Sequence, residues 1–435
     1  MQGWYKPEKP GRSREPCKGA VMGMMDVKNL SPGLVLENSV VTPNGRLILP
    51  EGVVLTQEHI AYLNRWGISR VQVKKESPVS ENPDPTTTLS PETQAKIENF
   101  LVPVFACNDL EEDLVQVVFE MGVRRLGQKC ASGWKLPQKK VNLPVNDGSL
   151  RDIFYAGEFG FWDLIHQDVE LASFPDIYFK IHKALNSPQS SADYLARIIS
   201  QDPSLSAKLL RLVNSPFYGL RTQVDSISRA VAMVGANELT TLALGVSAIN
   251  AFRDIPEELI DMRAFWSHSV ATGILAKHLG SQLAGVSAER LFVAGLLHDI
   301  GRLVMFRRLP AISAETIIYA QSNLLPQVEA ERDILGFDHG QVGAGLVRSW
   351  NLPKFLTLMI GGHHLDKHLS RPEVAVVHLA DFLAICLVFS EKGSMIAPKL
   401  SHEACKAVQL DRGKLEEILP VAEKEFADVV GVFYP

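Results

Sequence analysis

From Phe174 onward the sequence has the periodicity of α-helices and almost no other pattern. Apolar residues recur at helical spacing in one segment after another, and turn-forming residues such as Pro203, Gly235 and Pro353 separate these segments. This pattern predicts a mainly α domain. The predicted helices lie near 176–187, 190–200, 203–213, 225–234, 236–251, 258–284, 287–298, 310–322, 325–334, 339–350, 353–362, 372–390 and 413–430.

The N-terminal part has a different pattern, which predicts a small α/β module. Leu34-Val35-Leu36 and Leu47-Ile48-Leu49 are β-forming runs on either side of the turn signal Pro43-Asn44-Gly45. Thr56 can cap a short helix that Gly67 can end. The fold class expected for the chain is therefore mainly α, with an all-helical domain preceded by this module.

Composition divides the rest of the chain. The stretch 76–91 carries four prolines among serine, threonine and asparagine, which predicts a linker because such a segment cannot form a packed core. The predicted division is 1–25 as a disordered or non-native start, 26–75 as the α/β module, 76–91 as the linker, 92–168 as a partly helical segment of unassigned role, 169–392 as the helical domain and 393–435 as a C-terminal helical extension.

We expect limited proteolysis to cut first within 76–91 and to separate the two flanking parts, because exposed polar segments are the preferred sites of nicking. Mass spectrometry of the earliest fragments checks this. A first cut inside the C-terminal helices would contradict the boundary.

Bulk composition narrows the class of protein. The 435 residues are 46% apolar and 21% charged, which is ordinary globular composition. A net charge of −5 gives no positive field for nucleic acid, and no run of about 18 apolar residues predicts a membrane span. The five cysteines are widely spaced and include no CxxC pair, so we expect neither a disulfide framework nor a thiolate zinc site. This indicates a reducing, cytoplasmic location.

Histidines are concentrated in the helical part: eight of the twelve lie between His268 and His378. Imidazole nitrogen together with carboxylate oxygen suits Fe, Mn or Zn, and a carboxylate can bridge two ions. The pattern therefore predicts one or two divalent metal ions. The candidate ligands are His268, His298, Asp299, His339, His363, His364 and Asp381.

Each candidate has a simpler interpretation, because a lone helical histidine is usually a polar or half-buried side chain. The pair His298-Asp299 stands apart, since it ends a strongly apolar run and burial without partners would cost several kcal/mol. His339 follows Asp338, a good N-cap, and a helix N-terminus favours the neutral imidazole that binds metal.

Helix geometry excludes one of the other histidines as a metal ligand and leaves two undecided. His278 lies ten residues after His268 on one predicted helix, or roughly 15 Å away, too far to share a small site. His378 lies three residues before Asp381 on the same helix face and stays open as a ligand. His368 could take the place of His364.

The order of these residues resembles that of the HD superfamily of metal-dependent phosphohydrolases. The stretch from Phe174 to about Phe389 resembles one branch, the HDOD (HD-related output domain) family. The motifs that carry this resemblance are Asp202-Pro203-Ser204-Leu205, the block from Leu209 to Gly219 (Leu-Leu-Arg-Leu-Val-Asn-Ser-Pro-Phe-Tyr-Gly), Ile227-Ser228-Arg229-Ala230-Val231 and Val234-Gly235.

The resemblance implies an all-helical fold and an output role in bacterial signalling, exercised through a protein partner. Many members of the family lack a full ligand set, whereas here every position is filled, as in the similar HD-GYP phosphodiesterases. By that likeness His268, His298, Asp299 and Asp381 would hold a first ion. Asp299 would bridge to a second, held by His339, His363 and His364.

The sequence departs from the HD-GYP pattern at two places that matter for phosphodiesterase activity. HD-GYP proteins usually carry a lysine where this chain has Arg302, and an arginine can bind phosphate but does not act as an acid near neutral pH. No Gly-Tyr-Pro loop follows His364. The first hypothesis is therefore a metal-binding HDOD output protein. The alternative is a phosphodiesterase or phosphohydrolase acting on a cyclic dinucleotide or another nucleotide or phosphate ligand, with Asp299 and Arg302 as catalytic residues.

Overall fold

The structure is a computed structural model, and chain contacts divide it into two compact units, 1–88 and 89–435. In the first unit it describes residues 23–27, 30, 34–38, 40–41, 47–49, 55, 60, 63, 68 and 70–74. In the second it describes 90–137, 161–166, 177, 180–181, 183 and 191–433, without 221, 250–251, 253–254, 282, 284, 351 and 391–394.

The first unit contains a three-stranded antiparallel sheet in the order β1-β5-β2, with Met25 opposite Val71. A second pair, β3 and β4, is also antiparallel. The strands are β1 (Gly23–Asp26), β2 (Val35–Leu36), β3 (Val40–Val41), β4 (Leu47–Leu49) and β5 (Arg70–Lys74). Buried apolar side chains, among them Leu36, Leu63 and Val73, form a small core of their own.

Several N-terminal predictions fall outside the described residues: the start up to 22, the turn at 43–45 and most of the linker. Residues 23–25, which the sequence assigned to a disordered or non-native start, belong instead to β1. The reason is that Met25 pairs with β5 and packs against the small core.

The described part of the second unit is helical, which confirms the expected fold class. Its helices are α1 (Pro91–Leu101), α2 (Asp113–Ala131), α3 (Phe161–His166), α4 (Ala192–Ile199), α5 (Pro203–Val213), α6 (Ile227–Val234), α7 (Ala236–Ile249), α8 (Met262–Gly280), α9 (Ala288–Leu297), α10 (Ile300–Arg308), α11 (Pro310–Asn323), α12 (Gln327–Leu335), α13 (His339–Ser349), α14 (Lys354–Gly362), α15 (Pro372–Ala384), α16 (His402–Val408) and α17 (Arg412–Phe433). One apolar core runs from Ile97 in α1 to Val432 in α17. The helices at both ends of this unit therefore pack with those of the predicted 169–392 domain.

Two close helix crossings set the positions of the buried histidine and aspartate residues. α8 and α9 cross where a Cβ on Gly295 would lie only 2.8 Å from the Cα of Gly273. α10 and α13 cross at Gly301, where a Cβ would overlap the carbonyl oxygen of His339 and lie 2.6 Å from the nitrogen of Gly343. Glycine allows this approach because it has no side chain.

The sequence missed α10, and the reason is physical. Arg302 and Arg308 are buried together with Ile300, Leu303, Val304, Met305 and Phe306, so the polar residues of this short helix do not mark a face exposed to solvent. The predicted helix 372–390 also ends earlier, at Ala384.

Among the described residues, no single helix is both long and apolar enough to cross a bilayer. The helices α6 and α7, bent by 118°, pass that test of length and composition only as a pair.

Candidate metal centre

His298 and Asp299 lie at a break between two buried helices, α9 and α10. The Nδ1–H of His298 donates to the carbonyl oxygen of Gly295 at 2.7 Å. Since a carbonyl only accepts, this bond fixes the tautomer and turns the Nε2 lone pair toward the interior. Asp299 occupies the N-cap position of α10 but its side chain caps no backbone N–H, so both carboxylate oxygens face the same interior.

His339 begins α13, where Asp338 and Gln341 form a capping box. Its backbone N–H donates to the Oε2 atom of Glu331 at 2.8 Å, and its Nδ1–H donates to the same oxygen at 2.6 Å. Glu331 is 1% exposed, so this carboxylate holds both the main chain and the ring of His339. The Nε2 atom of His339 is thereby directed toward Asp299.

His363 and His364 follow α14 directly. The Nδ1–H of His363 donates to the carbonyl oxygen of Ile360 at 2.6 Å, in the same way as His298 at the end of α9. The Nδ1–H of His378 donates to the carbonyl oxygen of His363 at 2.8 Å. His378 thus supports the His363-His364 segment from α15.

The seven predicted side chains converge in one place. The Nε2 atom of His268 lies 2.9 Å from Oδ1 of Asp381, and that oxygen lies 3.5 Å from Nε2 of His298. Asp299 reaches in two directions, with Oδ2 at 3.5 Å from Nε2 of His298 and Oδ1 at 3.1 Å from Nε2 of His339. The second oxygen of Asp381 lies 3.6 Å from Nε2 of His364.

These side chains form three overlapping groups whose donor atoms lie within 4.8 Å of one another. One group is His268, His298 and Asp381, and another is His339, His363 and His364. The third links them through His298, Asp299 and His363. Asp299 therefore has the position of a bridging carboxylate.

Six donor atoms of the cluster are buried and make no hydrogen bond among the described residues: Nε2 of His298, His339, His363 and His364, and both carboxylate oxygens of Asp299. The two Asp299 oxygens have only ion-pair contacts at 3.1 Å, one with His339 and one with Arg302. A buried polar atom without a partner costs about 1–3 kcal/mol, so this many together would be strongly destabilising. A divalent cation satisfies lone pairs of this kind. Nitrogen and oxygen donors suit Fe, Mn or Zn, and the residues fit such an ion.

The electrostatics also favour metal ligation. Burial lowers the pKa of His363 to about 3 and that of His364 well below its usual value, and the neighbouring imidazoles add to the effect. Both rings are thus neutral, as metal binding requires.

The two carboxylates are ionised. Burial alone would raise their pKa values, but Arg302 beside Asp299 and His268 beside Asp381 outweigh it and hold each pKa well below its usual value. Burial alone would likewise lower the pKa of His339, but Glu331 and Asp299 raise it to about 9. The neutral imidazole expected from the helix N-terminus is therefore wrong without a cation, because these two carboxylates favour the protonated ring. A cation bound there would take the place of the proton on His339.

Two of the histidines that competed as ligands, His278 and His368, do not belong to the cluster. His278 pairs with Glu425 at 3.0 Å, away from the cluster, as its spacing predicts. His364, with a side chain 6% exposed, joins the cluster and His368 does not. The guanidinium of Arg302 lies 3.1 Å from Oδ2 of Asp299, at the edge of the cluster.

Glu331 is the residue that sequence reasoning missed. It lies eight positions before His339 on a different helix, α12, and no spacing rule connects the two. The arrangement of a carboxylate that orients a histidine recurs behind metal ligands, because it fixes the tautomer and raises ligand basicity.

We expect Glu331→Gln to weaken metal binding about 10- to 100-fold, because an amide orients His339 less firmly than a carboxylate. Competition with a chelator of known affinity measures the change. Glu329→Gln is the matched control, since Glu329 is exposed on the same helix. Equal affinities for the two variants would show that Glu331 does not support a metal ligand.

Comparison with known proteins points to the same part of the chain. Residues 171–365 match the family model described as "HDOD domain". An "Uncharacterized protein" of Treponema pallidum (strain Nichols) is 29% identical over 220 residues, which are 49% of this chain and 42% of that protein. The chain thus matches less than half the length of this relative.

Two solved structures are similar to this chain. One, from Shewanella amazonensis SB2B, is named only provisionally as a phosphohydrolase. It has a TM-score of 0.50 at 24% identity and covers 63% of this chain and 100% of its own. An HDOD domain protein of unknown function from Geobacter sulfurreducens has a TM-score of 0.48 at 22% identity, covering 62% of this chain and 96% of its own.

Proposed function

Because residues 171–365 are an HDOD domain, we propose that this protein is a metal-binding output protein of bacterial signal transduction that acts through contacts with a protein partner. The observation that carries the metal part of this proposal is the convergence of seven side chains, with six buried donor atoms that make no hydrogen bond. We propose one or two ions per chain, of Fe, Mn or Zn.

In this proposal the two terminal groups of the cluster each hold one ion. His268, His298 and Asp381 would hold the first, and His339, His363 and His364 would hold the second. Asp299 would bridge them, since its two oxygens face one histidine of each group. A bridging anion offsets the mutual repulsion of two cations.

The positions of the ligands in the fold are consistent with the proposed output role. They lie on α8, at the α9–α10 break, at the start of α13, after α14 and on α15, so an ion at the centre joins five parts of the helical unit. Binding to the native state alone stabilises it by mass action. Metal occupancy would therefore determine the stability of the helical unit that contacts the partner.

We propose a cytoplasmic location. Cys107, Cys130, Cys386 and Cys405 are free thiols in the described part of the chain, and free thiols are typical of reducing compartments.

A second candidate function is hydrolysis of a phosphate ester at the same centre. The observation that favours it is that His268 and Arg302, at the edge of the cluster, also line a cavity. Bound divalent metal supplies a hydroxide nucleophile near neutral pH and stabilises phosphoryl charge. Arg302 could hold a phosphate through its planar fork.

A hydrolysis screen separates the two functions. Metal-loaded protein is incubated with phosphate monoesters, cyclic mononucleotides and cyclic dinucleotides, with Asp299→Ala as the control. We expect full metal content with no turnover that depends on Asp299, as for an output protein. Turnover that Asp299→Ala abolishes would replace the output role with the hydrolase.

A further inference from the structure

A cavity of about 160 Å³ lies beside the metal cluster. Its wall is mainly apolar and comes from four helices, the segments before α8 and after α15, and the turn between α11 and α12, including Phe265, Phe306, Ile317, Leu325, Val388 and Ile396. Two acidic residues, Glu258 and Asp261, also line it, in the segment before α8. Met395 also lines the cavity and is 42% exposed, which marks the side that opens to solvent. An apolar cavity of this kind is favourable for a ring or a short hydrocarbon chain.

One end of the cavity is charged. Arg302 and His268 line it, and their residues are only 7% and 5% exposed. Nη1 of Arg302 lies 3.1 Å from Asp299 and 2.9 Å from Sδ of Met395. Its buried Nε makes no hydrogen bond among the described residues, and the nearest carboxylate oxygen, Oε1 of Glu331, lies 4.0 Å away. A buried guanidinium with an unused N–H is suited to an anion that reaches it through the cavity.

Size restricts the ligand. An engineered protein cavity of about 150 Å³ accommodates one benzene molecule, so this cavity holds about one ring. Pockets for drug-sized ligands begin at about 300 Å³. A dinucleotide, with two bases and two sugars, is too large to be enclosed here.

We infer that the cavity binds a small anion that carries a single ring or a short apolar chain, with the anionic group against Arg302 and the apolar part against Phe265 and Phe306. This inference deepens the proposed function, because the ligand would be the small molecule sensed at the metal centre. Its binding groups are nevertheless separate from the seven-residue cluster except for His268. The head group can be a phosphoryl group or a carboxylate, since a guanidinium pairs with both.

The test is isothermal titration calorimetry of the full chain with four probes. Phenylphosphonate carries both the ring and the anion, methylphosphonate lacks the ring, benzyl alcohol lacks the charge, and benzoate exchanges the head group. We expect phenylphosphonate to bind about tenfold or more tightly than methylphosphonate, because the ring leaves water. Phenylphosphonate should also bind more tightly than benzyl alcohol. The ratio of phenylphosphonate to benzoate affinity identifies the preferred head group.

Ala264→Phe tests the location. Ala264 lines the cavity, so a phenyl group there should occupy the space and abolish the preference for phenylphosphonate. Methylphosphonate binding and metal content should persist, which also shows that the variant is folded. Ala427→Phe, at an exposed position of α17, is the matched control and should behave as the parent protein.

Two results would overturn the inference: equal affinity for phenylphosphonate and methylphosphonate, or a ring preference that survives in Ala264→Phe. Either would do so even in a protein with full metal content, leaving the proposed function intact. Conversely, a metal-free protein that binds phenylphosphonate in an Ala264-dependent manner would support the cavity and contradict the metal centre.

Discussion

Asp299→Ala should remove metal from the protein and lower its melting temperature in metal-replete buffer. Asp299 faces both histidine groups, so its loss takes an oxygen from each proposed ion and leaves the imidazoles facing unshielded charge. Metal that binds only the native state stabilises by about 2.7 kcal/mol at a hundredfold excess over the dissociation constant, and the variant should lose that contribution. Thermal melts with and without chelator measure it.

The difference in melting temperature between parent and variant should shrink once chelator strips both. It should not vanish, because Arg302 is buried and loses its 3.1 Å partner, and breaking a buried ion pair costs about 3–5 kcal/mol. Asp225→Ala, at an exposed loop position, should match the parent in both buffers. If chelator leaves the melting temperature of the parent unchanged, Asp299 serves only as a partner for Arg302.

Gly301→Ala should destabilise the helical unit by about 3 kcal/mol and also reduce metal affinity. The added Cβ would overlap the carbonyl oxygen of His339 and lie 2.6 Å from the nitrogen of Gly343, both backbone atoms that no rotamer change can move. α10 and α13 would have to separate. The 3.1 Å approach of Asp299 to His339 would then be lost.

Gly431→Ala is the control for this variant. It lies in α17, where a Cβ would meet no atom within 4 Å, so it should be neutral or stabilise by about 0.4–1 kcal/mol. Chemical denaturation of both variants gives the two free energies of unfolding. A Gly301→Ala protein as stable as the parent would mean that α10 and α13 do not cross as closely as described.

The sequence identified the cluster because its residues are chemically conspicuous. His298-Asp299 ends an apolar run, and His339 follows an N-cap, so both stand out by their position in the chain alone. The order of the remaining ligands resembled a family pattern, and residues 171–365 match that family. The helical fold followed from periodicity, which is strong over long amphipathic helices.

What the sequence could not show depends on contacts between distant segments. Glu331 contacts His339 only because the chain reverses direction after α12, at Gly336, where φ is 76°. α10 is buried except at the half-buried Arg307, and two of its arginines are buried, so the polar residues in its sequence do not mark an exposed face. The role of His378 was open from spacing. In the structure its ring centroid lies 6.3 Å from that of His364, and its nitrogens belong to none of the three donor groups.

Elemental analysis of the full chain, purified without added metal, tests the central claim most directly. We predict one or two ions of Fe, Mn or Zn per chain by inductively coupled plasma mass spectrometry, and a clear loss of metal in Asp299→Ala. A parent protein that contains no such metal, and takes none up on dialysis against each of the three ions, would contradict the metal centre.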